Sequence, residues 1–139
     1  MTHTRRQALV LATGGLSLLA FAPAAWAAAA DDLIATFTGG AAVGDGGVEI
    51  GAPEIAENGN VVPVEVSAPG ASEILLLAPG NPSPAVASVK FGPKAGSQRV
   101  STRIRLAKTQ DVTAVAKMAD GSFAQGTRTV KVTVGGCGG

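Results

Sequence analysis

The fold is decided by the stretch Val100-Ser101-Thr102-Arg103-Ile104-Arg105-Leu106. Mostly apolar side chains alternate in it with polar or charged ones. Successive side chains of a β-strand point to opposite faces, so this period of two predicts a strand with one face toward a core. We expect one face to carry Val100, Thr102, Ile104 and Leu106, and the solvent face to carry Ser101, Arg103 and Arg105.

The same period recurs on both sides of this stretch, which predicts further half-buried strands. The run Ile74-Leu75-Leu76-Leu77 is instead continuously apolar, and it suits either a central strand or a subunit contact. The positions predicted to face inward in the alternating strands are Val62, Val64, Val66, Val89, Phe91, Val112, Ala114, Ala116, Met118, Val130, Val132 and Val134.

Glycine and proline separate these runs at intervals of about ten residues, as in antiparallel sandwiches. The sequence therefore predicts an all-β, single-domain fold, an antiparallel β-sandwich. We expect one short helix over Asp31–Thr38, ended by Gly39-Gly40, and a flexible linker within the glycine-rich residues 39–47. The predicted turns are Pro69-Gly70, Pro79-Gly80-Asn81-Pro82, Gly92-Pro93 and Asp120-Gly121.

The N-terminus has the three-part layout of an export signal. Arg5-Arg6 precede a mildly apolar run from Ala8 to Phe21, and small residues follow around Trp26. The paired arginines favour the twin-arginine route, which predicts a signal over residues 1–28 and a periplasmic mature protein. Cleavage is expected after Ala27 or Ala28, or as late as Ala30. A membrane anchor is the alternative, but the run is shorter than the ~20 residues of a spanning helix.

Composition excludes several classes of function. Without Arg5 and Arg6, nine Lys and Arg residues face ten Asp and Glu residues, a net charge of −1. That balance argues against nucleic acid or an anionic membrane as a partner. The single histidine, His3, leaves with the signal, so a mature chain with one cysteine has no His/Cys metal cluster and no histidine-dependent triad. We therefore expect no cofactor and no metal.

The chain ends in Gly135-Gly136-Cys137-Gly138-Gly139, and Cys137 is its only cysteine. Glycine has few conformational preferences, so we predict a flexible arm formed by Gly135, Gly136, Gly138 and Gly139 around one thiol. Five extended residues reach roughly 16–18 Å, enough to place the thiol in a partner's pocket. An incidental thiol, or one that forms an intermolecular disulfide, is the alternative.

This tail, following Val130-Lys131-Val132-Thr133-Val134, resembles the C-terminus of the SoxY family. The likeness extends through residues 53–59, through residues 100–107 and through Asp120-Gly121-Ser122, and thus across the mature chain. The resemblance implies an immunoglobulin-like sandwich over residues 29–134, followed by a swinging arm over residues 135–139. It also implies a covalent sulfur carrier of the thiosulfate-oxidising Sox system, not an enzyme.

The partners are likewise implied by the resemblance. SoxY-like proteins pair with SoxZ, and the cysteine matching Cys137 holds thiosulfate that the c-type cytochrome pair SoxXA attaches. The hydrolase SoxB then releases sulfate, and the sulfur dehydrogenase SoxCD oxidises the remaining sulfane sulfur. The alternative function is an exported sandwich for adhesion or assembly, joined through an intermolecular disulfide.

Two smaller features bear on this function. No cation lies near Cys137 in the sequence, so we expect each partner's active site to activate the thiol. Four basic residues near one predicted strand are interpreted as a solvated face, with docking of anionic substrate or partners as the alternative. They are Arg99, Arg103, Arg105 and Lys108.

Overall fold

The computed structural model describes residues 22–135, with side chains from residue 25 onward. Arg5 and Arg6 lie outside the described residues, as do residues 136–139. The elements in chain order are α1 (Ala22–Thr38), β1 (Val43–Asp45), β2 (Glu49–Gly51), β3 (Ile55–Ala56), β4 (Val62–Ser67), β5 (Ala71–Leu77), β6 (Ala85–Lys90), β7 (Arg99–Ile104), β8 (Gln110–Met118) and β9 (Phe123–Val132).

These strands form two sheets. The larger sheet has the order β1-β9-β8-β5-β6, with β3 also paired to β9, and the smaller sheet has the order β2-β4-β7. One hydrophobic core joins side chains from both sheets, among them Val64 and Ile104 from the smaller and Ile74 and Ala114 from the larger. The predicted all-β sandwich with a short N-terminal helix is confirmed.

The stretch that decides the fold behaves as predicted. Val64 of β4 pairs with Thr102 of β7, and Val62 pairs with Ile104. Ile104 and Leu106 are buried, whereas the intervening Arg105 is exposed. The period of two therefore places one face of β7 on the core and leaves the other face to solvent.

The apolar run in β5 is a central strand. β5 lies between β8 and β6, and Ile74 and Leu76 face the core between the sheets. Leu75 and Leu77 are also buried, although alternation places them on the opposite face. A strand covered on both faces carries a continuous apolar run. The burial of this segment within the domain therefore explains the run as that of a central strand, without a subunit contact.

Helix α1 covers the outer face of the larger sheet. Phe37 contacts Phe123 of β9 edge-to-face, with the ring centroids 5.8 Å apart. Leu33 shares a shallow cavity with Ala85, the β6 residue that pairs with Leu77. The helix therefore lies over the outer side of β5, and Ala30 within it is buried.

Helix α1 is longer than the predicted Asp31–Thr38. It begins at Ala22 because alanine, which predominates in its first part, has the highest helix propensity. It ends as predicted at Gly39 and Gly40, whose φ angles of 65° and 83° break the helix. The predicted cleavage sites fall inside this helix, and the signal boundary remains a prediction. Among residues 22–135, no helix is both long and apolar enough to cross a bilayer.

Three details differ from the sequence-based expectations. The sandwich is not wholly antiparallel, because β1 and β3 both pair with β9 in parallel. The expected linker at residues 39–47 contains β1, which covers the β9 edge that β8 leaves open. Val134 does not face inward: β9 ends at Val132, and Val134 is 63% exposed because residues 133–134 bond to the 56–59 segment instead.

Candidate functional site

The described part of the predicted site is the root of the C-terminal arm, residues 132–135. Cys137, Gly136, Gly138 and Gly139 lie outside the described residues. Gly135 lies inside them and is partly buried, so it can be placed relative to the domain. The structure therefore defines where the arm starts and what holds it there.

Gly135 packs against the carbonyl group of Ala107. A Cβ atom on Gly135 would lie 3.2 Å from the Ala107 carbonyl carbon and well inside contact distance of its oxygen. A side chain here requires that the backbone move, because the obstacle is main chain and not a flexible side chain. The glycine that the sequence assigns to the arm is thus required by close packing at the root.

The 56–59 segment holds one side of the root. The amide of Thr133 donates to the Ala56 carbonyl at 3.0 Å, and its hydroxyl donates to the Glu57 carbonyl at 3.1 Å. The Gly59 amide donates to the Val134 carbonyl at 2.7 Å, while the Gly59 carbonyl accepts from Leu106 at 2.7 Å. These bonds tie residues 133 and 134 to the segment between β3 and β4. Through Gly59 they also connect this segment to Leu106, two residues after β7.

Thr109 and the Ala107 carbonyl hold the other side of the root. The Val132 amide donates to the Thr109 hydroxyl at 2.9 Å, just beyond Val130 and Gln110, the last pair of the regular β9–β8 pairing. With Gly135 against Ala107, residues 132–135 are held between two segments of the domain. The arm proper therefore begins after Gly135.

A buried asparagine fixes the loop that contacts Gly135. Asn81 is 5% exposed, donates to the Arg105 carbonyl at 2.8 Å and accepts from the Ala107 amide at 2.9 Å. The Gln110 side chain also donates to Asn81 Oδ1 at 2.9 Å. Since buried polar groups are costly unless bonded, this network holds the 105–107 loop in one position.

Sequence reasoning missed this network. The sequence of residues 79–82 predicts only a turn, and the one signal for the network is the glycine before Asn81. A Cβ on Gly80 would lie 2.9 Å from Gln110 Cβ, and the Gly80 amide donates to Gln110 Oε1 at 2.8 Å. An Asn in a Gly/Pro turn can bond neighbouring backbone, but its partners more than twenty residues away depend on the fold.

Two lysines adjoin the root or its neighbour in the chain, since Lys131 precedes Val132 and Lys108 follows Ala107. The Nζ atom of Lys108 lies 5.7 Å from the centre of the Trp26 ring. Arg99 instead pairs with Glu65 at 3.4 Å across the exposed face of the smaller sheet. Within the described residues, no three His, Cys, Asp or Glu side chains form a metal-binding group.

Comparison with known proteins identifies the family. A family described as "Sulfur oxidation protein SoxY" matches residues 34–137, a span that includes the root and Cys137. The chain belongs to the SoxY family. The resemblance noted in the tail is thereby confirmed, and so is the expectation of a sulfur carrier that is not an enzyme.

A solved structure agrees with this SoxY assignment, and another shares the fold. The sulfur carrier protein SoxY from Chlorobium limicola f thiosulfatophilum is 41% identical, has a TM-score of 0.67, and is matched over 76% of this chain and 96% of its own. The superoxide reductase (neelaredoxin) from Ignicoccus hospitalis is 22% identical, with a TM-score of 0.55 over 63% of this chain and 80% of its own. The latter likeness concerns the fold alone. No curated protein sequence matches the chain.

Proposed function

We propose that the chain carries sulfur intermediates of thiosulfate oxidation as covalent adducts of Cys137. The observation that carries this proposal is the SoxY match, which extends to residue 137 and thus includes the only cysteine. The packed root supports it, because it fixes the position of Gly135, two residues before Cys137 in the chain.

The proposed attachment is an oxidation of the thiol. Cys137 Sγ loses its proton and forms a bond to the sulfane sulfur of thiosulfate, and an electron pair passes to the c-type cytochrome pair SoxXA. The product is a cysteine thiosulfonate. Because the carrier lacks a cofactor of its own in this scheme, the oxidant has to be the partner.

The proposed release steps leave the carrier ready for another cycle. In SoxB, water attacks the sulfonate sulfur, the bond between that sulfur and the sulfane sulfur breaks, and sulfate leaves together with protons. A persulfide remains on Cys137. SoxCD is the proposed partner for oxidation of this sulfane sulfur to a sulfonate that stays bound to Cys137 Sγ, with water supplying the oxygens and a cytochrome-class acceptor taking the electrons. A second hydrolysis in SoxB then breaks the bond between Sγ and the sulfonate sulfur, releases sulfate and returns the thiol.

We further propose a heterodimer with SoxZ in the periplasm, after export by the twin-arginine route. Exposed sheet edges favour pairing with another chain, and among the described residues β6 and β7 each have a strand on one side only. Arg5-Arg6 and the apolar run after them support the export route.

The proposal is tested by Cys137→Ser in the reconstituted system of SoxZ, SoxXA, SoxB and SoxCD. We expect thiosulfate-dependent reduction of added cytochrome c to fall to background, because serine cannot form the sulfur–sulfur bond. Ser101→Ala, on the exposed face of β7, is the matched control and should keep full activity. Undiminished electron transfer with the serine variant would refute the carrier role.

A further inference from the structure

One side of helix α1 packs on the domain along most of the helix. Its inward positions recur at steps of four, three and four residues, which is the spacing of a single helix face. They are Trp26, Ala30, Leu33 and Phe37. Ala30 is 2% exposed, and Phe37 contacts the Phe123 ring. The packed face thus continues back past Asp31, where the sequence predicts that the helix begins, and into the predicted signal.

Trp26, at the N-terminal end of this face, is held by a cation. The Lys108 Nζ atom lies 5.7 Å from the centre of its ring. An ammonium group is attracted to the face of an indole ring within about 6 Å. Trp26 is partly buried, and Lys108 lies in the β7–β8 loop, which Asn81 fixes through the Ala107 amide. The contact therefore ties the signal end of α1 to a fixed part of the domain.

This contact lies where the export signal is expected to be cut. The predicted cleavage sites follow Ala27 and Ala28, and both residues are helical. A protease cuts an extended segment, so a packed helix is cut only from a locally opened state. A helix opens from its end. An opening that reaches Ala27 therefore has to release Trp26 from Lys108.

We propose that the Trp26–Lys108 contact is a latch that keeps the cleavage region helical in the folded, uncut chain and so slows removal of the signal. The inference rests on the proposed export by the twin-arginine route, which presents an already folded chain to the peptidase. Cleavage adds water across the peptide bond after Ala27 or Ala28, and the departing fragment carries Trp26 with it. The latch is thus lost in the step that it delays.

The shortened helix has another source of stability at its new end. In the uncut helix the first turn contains no acidic residue, and Asp31 and Asp32 lie near the middle. After cleavage at either predicted site, these two carboxylates lie in or beside the first turn, where the helix dipole favours negative charge. The mature helix is therefore stabilised at its N-terminus by charge and no longer by the Trp26 ring.

The test measures cleavage of the purified, folded, uncut chain by signal peptidase in detergent, with intact mass as the readout. Lys108→Ala removes the cation without altering any residue of the signal. We expect cleavage to become about two- to fivefold faster, because the rate follows the population of the opened helix. Lys94→Ala, which removes an exposed lysine from the β6–β7 loop, is the matched control and should leave the rate unchanged. The emission of Trp26, the only tryptophan, should change in Lys108→Ala alone.

A peptide of residues 15–35 separates failure of the latch from failure of the export signal. It has no domain to pack against, so the peptidase should cut it faster than the folded chain. Equal rates for Lys108→Ala and Lys94→Ala, or a folded chain cut as fast as the peptide, would overturn the latch while the signal stands. A product that retains Trp26 would also overturn it. If neither the peptide nor the chain is cut, the export signal fails, and the latch fails with it.

Discussion

The carbonyl oxygen of Ala107 lies directly against the backbone of Gly135, at the point where the C-terminal arm leaves the domain. Gly135 therefore belongs to the packed body, although the glycine-rich sequence predicts that it is part of the flexible arm. The Asn81 side chain holds the same loop through the Ala107 amide. The position of Gly135 thus depends on a buried network far from it in sequence.

Gly135→Ala tests this contact. The added Cβ would meet main-chain atoms of Ala107, so the root must shift, and overpacking of this kind costs about 1–3 kcal/mol. Chemical denaturation should give a lower free energy of unfolding than for the parent. Gly136→Ala, one residue beyond the described root, is the matched control. Equal stability of the Gly135 variant and the parent would contradict the packed root.

Gly138→Val tests the expectation that the arm must pass through a narrow channel. The branched side chain adds bulk beside Cys137 and restricts the backbone, so we expect slower electron transfer from thiosulfate with partner enzymes. The thermal unfolding midpoint should be that of the parent. If thiosulfate-dependent electron transfer is unchanged, the channel does not constrain the arm.

Asn81→Ala should destabilise the domain. It leaves the Arg105 carbonyl and the Ala107 amide without their side-chain partner in a part-buried site, at a cost of about 1–3 kcal/mol for each unsatisfied group. Denaturant unfolding measures this loss. Asn60→Ala is the control, because Asn60 is exposed and should change stability by less than about 0.5 kcal/mol. Similar values for the two variants would contradict the network.

The β8–β9 turn gives a prediction about pH. The hydroxyl and the amide of Ser122 both donate to Asp120 Oδ1, and these bonds lower the pKa of Asp120 below its ordinary value. A lowered pKa means that the contribution to stability is present at neutral pH and is lost as the pH falls through the pKa of the folded state. Ser122→Ala should raise the Asp120 pKa in an NMR titration, and an unchanged pKa would contradict the assignment.

The local pattern of the sequence is sufficient to predict much of the fold. The alternation at Val62, Val64 and Val66 predicts their burial, because the two faces of a strand alternate whatever its partners. The Asp120-Gly121 turn could likewise be predicted, since Gly121 adopts a φ of 86° that glycine favours. Both features are set by residues close together in the chain.

Long-range pairing could not be predicted in the same way. β1 forms within a glycine-rich stretch because β9 offers it an open edge, and nothing in residues 39–47 indicates that partner. The contact between Ala107 and Gly135, and the bonds from Asn81 to residues 105 and 107, also join distant segments. The sequence could predict the thiol and its glycine arm, but not the anchored root.

The most direct test of the carrier function is the intact mass of the chain after incubation with thiosulfate and SoxXA, then with SoxB. Our account predicts that the mass first rises by one thiosulfate group and then falls to that of one added sulfur atom, with both changes absent in Cys137→Ser. A chain that forms only a disulfide dimer, whether or not thiosulfate is present, would contradict it and favour the assembly function.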